Sequence, residues 1–155
     1  MWRVLLLVGR FVLAAVFLYA AYTKLRQPWM LFAMSINSYG VLPGWAVELL
    51  ARTLPWFELA LGLLLAIGLK LRYVAAAASA LLVVFFAVML RAHLKGLGID
   101  CGCFGFGEAL TWKTLVRDGA LAALSVGLTV AAFRGARGIR RDSAEPVASA
   151  SLHLP

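Results

Sequence analysis

The chain reads as an all-α integral membrane protein: a four-helix bundle with short interfacial helices in its first outer loop. Three observations predict that class. Of the 155 residues, 63% are hydrophobic and 14% charged. The mean hydropathy of +0.90 exceeds what a soluble domain's surface carries. Four long apolar runs can be marked, about 4–23, 54–69, 73–92 and 114–133. Three of them hold 20 residues, which at about 1.5 Å per residue matches a hydrocarbon core of roughly 30 Å.

The first run is closed by Lys24, with no small-x-small cleavage site after it, so it is expected as a retained span rather than a signal peptide. Residues 25–53 are too many for a turn and too apolar for a solvated linker. They contain PWMLFAMSINSYG and PGWAVELLAR, expected as short helices at the outer interface. Trp29, Trp45, Trp56 and Trp112 fall on this side, as an aromatic belt would place them. The second run is short and can gain length from 44–53, with Pro43 as a helix-start signal and Pro55 as a kink that neighbouring helices accommodate. A tight connection at 70–72 makes the second and third spans an antiparallel hairpin. The membrane domain thus covers 1–133, with a loop at 93–113. Residues 134–155, rich in Arg, Ala and Ser, read as a disordered basic tail.

Four spans put both termini on one side. Lys and Arg number seven on each side, so counting alone does not orient the chain. The compact RGARGIRR cluster after the last span favours cytoplasmic termini resting on anionic lipid, in an inner or plasma membrane of bacterial type, with the 93–113 loop extracytoplasmic. The net charge of +8 then serves anchoring. No interleaved basic and aromatic patch points to nucleic acid.

That loop carries CGCFGFG, residues 101–107, with the only two cysteines of the chain. Two thiols in Cys-x-Cys are at most roughly 7 Å apart at Cα, and a turn through Gly102 can bring them within disulfide reach. A ring of three residues returns only about 1.6 kcal/mol of loop entropy. Such a bridge is a poor staple, better suited to opening and closing, and the loop is expected to stand outside the bundle.

Charges inside the spans are the second informative feature. Arg10, Ala14, Phe17, Ala21 and Lys24 share one stripe of the first helix, Glu58, Gly62 and Ala66 one of the second, and Asp118, Ala122, Ser125 and Thr129 one of the fourth. Lys24, Glu58, Arg117 and Asp118 therefore all fall near the outer end, beside the cysteine loop. An ionisable group there costs about 2.5–3.5 kcal/mol on insertion scales and should find a partner. Glu58 is expected to pair with Lys24 or Arg117, either as a structural lock or as part of the chemistry. Arg10, about 21 Å from Lys24 along the axis, is expected to snorkel to the inner face.

The ordered set GRFVLAAVFLYAAYTKLRQP, SYGVLP, LPWFELALGLLLAIG, CGCFG and TWKTLVRDGALAAL resembles the DoxX-like superfamily, and within it the MauE branch, over about Arg10 to Leu124. One departure is Ala20-Ala21 ahead of the lysine motif. The resemblance implies a four-helix membrane protein associated with thiol and disulfide chemistry, including disulfide maturation of exported proteins, and an extracytoplasmic cysteine loop. It does not by itself carry over a methylamine context.

The preferred reading is a membrane thiol/disulfide oxidoreductase, or redox partner, in which Cys101 and Cys103 cycle between dithiol and disulfide through a mixed disulfide. Lys24, Glu58, Arg117, Asp118 and Asp100 are the supporting residues. Asp100 would raise a neighbouring thiol's pKa, and Arg91, Lys95 or Lys24 would lower it. Electrons would pass to a thioredoxin-like or exported thiol protein, with a lipid quinone cradled by Trp56, Phe57, Phe104 and Phe106 as a further acceptor. Two alternatives stay open. One is a non-catalytic membrane subunit with a structural disulfide. The other is a Cu(I)-type metal site on Cys101, Cys103 and His93.

Overall fold

The computed structural model describes residues 2–150, and the side chains of these except 2, 3, 5, 105–106 and 136–150. Five helices and one small hairpin follow in order: α1 (Trp2–Arg26), α2 (Trp29–Ser38), α3 (Gly44–Ile67), α4 (Leu71–Leu94), β1 (Asp100–Gly102), β2 (Gly105–Ala109) and α5 (Trp112–Ala150). Four stretches are long and apolar enough to cross a membrane: Leu6–Arg26, Gly44–Ile67, Leu71–Leu94 and Trp112–Gly135. The protein is therefore an all-α membrane bundle.

Boundaries follow local chemistry. Pro28 stops α1 and stands at the N-cap of α2, because the residue before a proline is driven out of the helical region. Only one of the two expected interfacial helices is separate. PGWAVELLAR is instead the first part of α3, which starts after Pro43 and runs through Pro55. Joining them lengthens the short second run to a full span and leaves no helix ends between 53 and 54 to satisfy. Gly68 ends α3 in the left-handed conformation, φ 84°, its amide donating to the Leu64 carbonyl at 2.8 Å, a glycine C-cap. α5 continues beyond its apolar part into the basic segment expected as a disordered tail, as far as Ala150. Residues 151–155 of that segment lie outside the described residues.

α1 packs mainly on α3, and α4 on α5. The core toward the end that carries the α3–α4 connection joins Leu13, Ala14 and Phe17 of α1 with Leu61 and Leu65 of α3, Val74, Ala75 and Ala78 of α4, and Leu128 of α5. All three small-residue stripes turn inward. Gly62 lies so close to α1 that a β-carbon there would meet Leu18 Cγ at 2.8 Å, the close helix approach that small residues allow. Ser79 and Thr129 join α4 to α5 through a 2.8 Å hydroxyl pair. At that same end Arg10 donates to the Ala66 carbonyl at 3.3 Å, reaching one of the free carbonyls at the end of α3.

The segment 93–113 does not stand outside the bundle. Its antiparallel hairpin, Asp100 opposite Ala109 and Gly102 opposite Gly105, folds back onto α2 and α1. Cys101 is completely buried among Met89, Ala92, Leu110 and Leu115. Apolar residues on both flanks of the cysteines, Ile99 and Leu110, join this cluster, and their burial draws the strands down.

Candidate thiol site

Gly102 makes the turn between the two cysteines with φ 71°, and a β-carbon there would crowd Ser35 Cβ at 3.2 Å. Glycine relieves both constraints. The turn aims both sulfurs inward. Cys101 and Cys103 are free thiols, and their sulfurs and an Asp118 carboxylate oxygen all lie within 4.8 Å of one another. Cys101 Sγ is 3.7 Å from Asp118 Oδ2 and 4.0 Å from Met89 Sδ; Cys103 Sγ is 3.4 Å from the same Met89 Sδ. Tyr39, at the end of α2, donates its hydroxyl to the Cys101 carbonyl at 2.7 Å and fastens the strand to the bundle.

Beside Cys103 lies a cavity of about 40 Å³ between the helices, lined by Lys24, Glu58, Asp118, Phe104 and apolar side chains, enough to admit water. Lys24 donates to both Glu58 oxygens, at 2.6 and 2.8 Å, with both side chains buried. Phe32 and Phe85 place ring faces toward the ammonium, with centroids 4.9 and 5.7 Å away. Of the two partners expected for Glu58, Lys24 is the one present. Arg117 instead spans Glu108 of β2 and Asp118, donating to Asp118 from Nε at 3.0 Å and Nη2 at 3.2 Å. It also lies 4.5 Å over the Phe104 ring. Arg117 therefore clamps the hairpin to α5 and orients the carboxylate that faces Cys101.

The electrostatics favour the protonated form of Cys103. The Cys103 thiol is pushed above the ordinary range by its interaction with Cys101, by burial and by the Asp118 charge, with Lys24 acting in the opposite direction. Burial and the neighbouring thiols likewise push the Tyr39 phenol up, so it remains a hydrogen-bond donor.

Several expected contributors stand elsewhere. The carboxylate acting on the thiols is Asp118; Asp100 borders a shallow recess with Ser35 and Ser38. Arg91, Lys95 and His93 are exposed, and His93 is not in the ligand group formed by Cys101, Cys103 and Asp118 among the described residues. The aromatic set is not gathered. Phe104 lines the cavity, Trp56 and Phe57 are exposed on α3, and the Phe106 side chain lies outside the described ones. Met89, Tyr39 and Glu108 escaped sequence reasoning. Met89 looks like any other apolar residue of a span, and Glu108 meets Arg117 across a hairpin that has no helical periodicity. The SYG ahead of the second span was the one available sign of Tyr39.

Fold and site together define a multi-pass membrane protein that holds a thiol pair, one member buried and one partly buried, at one end of its bundle, next to a desolvated ion pair. Residues 2–132 match the family model "Methylamine utilisation protein MauE", and the chain belongs to the MauE family. It is 34% identical over 122 residues to the methylamine utilization protein MauE of Paracoccus denitrificans, covering 77% of this chain and 65% of that protein. It is 31% identical over 112 residues to the protein of the same description from Methylorubrum extorquens, covering 70% of this chain and 60% of that one. The chain thus spans somewhat under two thirds of the length of these relatives. No solved structure matches it.

Proposed function

We propose that this MauE-family chain is a membrane thiol/disulfide oxidoreductase or redox partner, with Cys101 and Cys103 as its redox pair. The observation that carries the reading is the shared orientation of the two sulfurs, within 4.8 Å of each other and of Asp118, on a glycine turn. Cys103 is the entry sulfur, because it is only partly buried and borders the cavity whereas Cys101 is enclosed. A Cys103 thiolate attacks a partner disulfide, forming a mixed disulfide and releasing one partner thiol. Cys101, losing its proton toward Asp118, then attacks Cys103 Sγ and releases the second. Two electrons and two protons pass from the pair to the partner, and the reverse sequence oxidises a partner dithiol.

The partner is a thioredoxin-like carrier or an exported thiol protein, met on the extracytoplasmic side, where a disulfide persists. Both termini are then cytoplasmic. The names of the relatives suggest that this chain is an accessory of methylamine utilisation, and the YTKL, LP-x-x-E-L and CGCFG set supports the wider DoxX-like kinship. A lipid quinone remains the proposed further acceptor, with Phe104 as its one expected contact at the site.

The test is a titration of the pair in the full-length protein against glutathione redox buffers, read by mass after alkylation, with impermeant thiol labelling of intact cells. A reversible two-electron transition and outside labelling of Cys103 are expected. A pair that stays fully reduced or fully oxidised across the range removes the redox reading. Labelling only after the inner face is exposed reverses the orientation.

A further inference from the structure

The redox reading uses the two thiols but leaves Met89 without a role, although this thioether on α4 is completely buried and points at both of them. The three sulfurs form a near-triangle: Cys103 Sγ to Met89 Sδ 3.4 Å, Cys101 Sγ to Met89 Sδ 4.0 Å, and the two thiols within 4.8 Å of each other. A metal about 2.3 Å from each of three sulfurs in one plane holds those sulfurs about 4.0 Å apart. The two Met89 distances, 3.4 and 4.0 Å, lie just below and at that value, and the thiol pair is within 4.8 Å.

We propose that reduced Cys101 and Cys103, together with Met89, form a binding site for a soft monovalent metal ion of the Cu(I) class. The donor set selects the ion. Thiolate and thioether sulfurs suit Cu(I), whereas zinc takes thiolate, imidazole and carboxylate donors, a set that Asp118 and not Met89 would extend. The three donors come from two elements held independently. Met89 is fixed in the core of α4, and the cysteines are fixed on the hairpin by the Tyr39 bond to the Cys101 carbonyl and by the Arg117 bridge between Glu108 and Asp118. Binding one Cu(I) displaces two thiol protons to water and forms two copper–thiolate bonds and one copper–thioether bond, with no electron transferred. The site therefore gains one unit of negative charge beside the Asp118 carboxylate, whose own charge Arg117 pairs; Lys24 on the adjoining cavity wall, itself paired with Glu58, offsets the gain only in part. His93, the expected third ligand, has no place in it. The inference goes beyond the dithiol/disulfide reading and shares only the cysteines with it.

The experiment uses the full chain in detergent, reduced and kept under nitrogen, titrated with Cu(I) in competition with bicinchoninate. One equivalent should move to the protein, and Cys101→Ser and Cys103→Ser should each abolish the transfer. Met89→Leu should weaken binding at least about tenfold, the loss that even outer partners of a metal site produce, while native-state alkylation still counts two thiols. Selenomethionine-labelled protein needs no substitution: X-ray absorption at the copper edge should show one selenium and two sulfur neighbours. Copper bound by two sulfurs alone, no transfer from bicinchoninate, or zinc held in preference to Cu(I) would each overturn the site. A pair that cycles in the copper-free glutathione titration but takes up no copper sinks this inference and leaves the redox reading standing.

Discussion

Replacing Glu58 by Gln leaves the Lys24 ammonium facing a neutral amide in a place that solvent does not reach. The side chains of the pair are 1% and 6% exposed, so no screening discount applies, and two N–O contacts of 2.6 and 2.8 Å are weakened at once. Breaking a buried pair from one side costs about 3–5 kcal/mol, because the remaining charge keeps its desolvation penalty. Glu48 is the internal control. Its bridge to Arg52 has side chains 56% and 54% exposed, and an exposed i,i+4 pair contributes about 0.3–0.5 kcal/mol. Glu58→Gln should therefore cost several times more than Glu48→Gln in SDS titrations of the protein in mixed micelles, followed by circular dichroism. The double variant Lys24→Met, Glu58→Leu should recover most of the loss, since apolar groups of similar volume carry no such penalty. Equal effects at positions 58 and 48, or a double variant as unstable as the two single losses added, would refute the claim that the pair is a desolvated unit.

Gly62→Ala should destabilise by about 1–3 kcal/mol through overpacking, because the new carbon meets Leu18 at both its side chain and, at 3.1 Å, its backbone nitrogen. Gly127→Ala, in the open on α5, should be neutral or stabilise by about 0.5–1 kcal/mol; the same SDS titration reads both. Alkylation of Cys103 by iodoacetamide should quicken by about tenfold per pH unit and show no plateau below pH 9, since its thiol lies above the usual range of about 8.5 and the reactive thiolate grows with pH. A plateau near neutrality would contradict that electrostatic picture. Arg117→Gln should free the hairpin from α5 and raise the alkylation rate of buried Cys101 in the folded protein, and an unchanged rate would show that Tyr39 and the apolar cluster hold the strand unaided.

Much of the architecture could be read without coordinates, because a bilayer imposes lengths. The four spans, the inward stripes bearing Gly62, Lys24 and Ser125, and the depth shared by Lys24 and Glu58 all follow from counting at 1.5 Å and 100° per residue. In lipid, however, apolar residues line both the outside and the core of the bundle, so hydrophobic periodicity does not say which apolar side chain turns inward. That is why Met89 passed unmarked, and why Trp56 and Phe57 were grouped with Phe104 although they are exposed on α3.

Polar and small residues do mark the inner faces, yet even they name a depth and not a partner. Glu58 had two cations within reach by depth, and only the packing of α1 on α3 assigned Lys24 to it, leaving Arg117 for Glu108 and Asp118. The cysteine pair was evident from its spacing. Its enclosure by Met89, Tyr39 and Asp118 was settled by a hairpin folding back over 62 residues of separation to α2, a long-range contact whose geometry has no local periodicity to announce it.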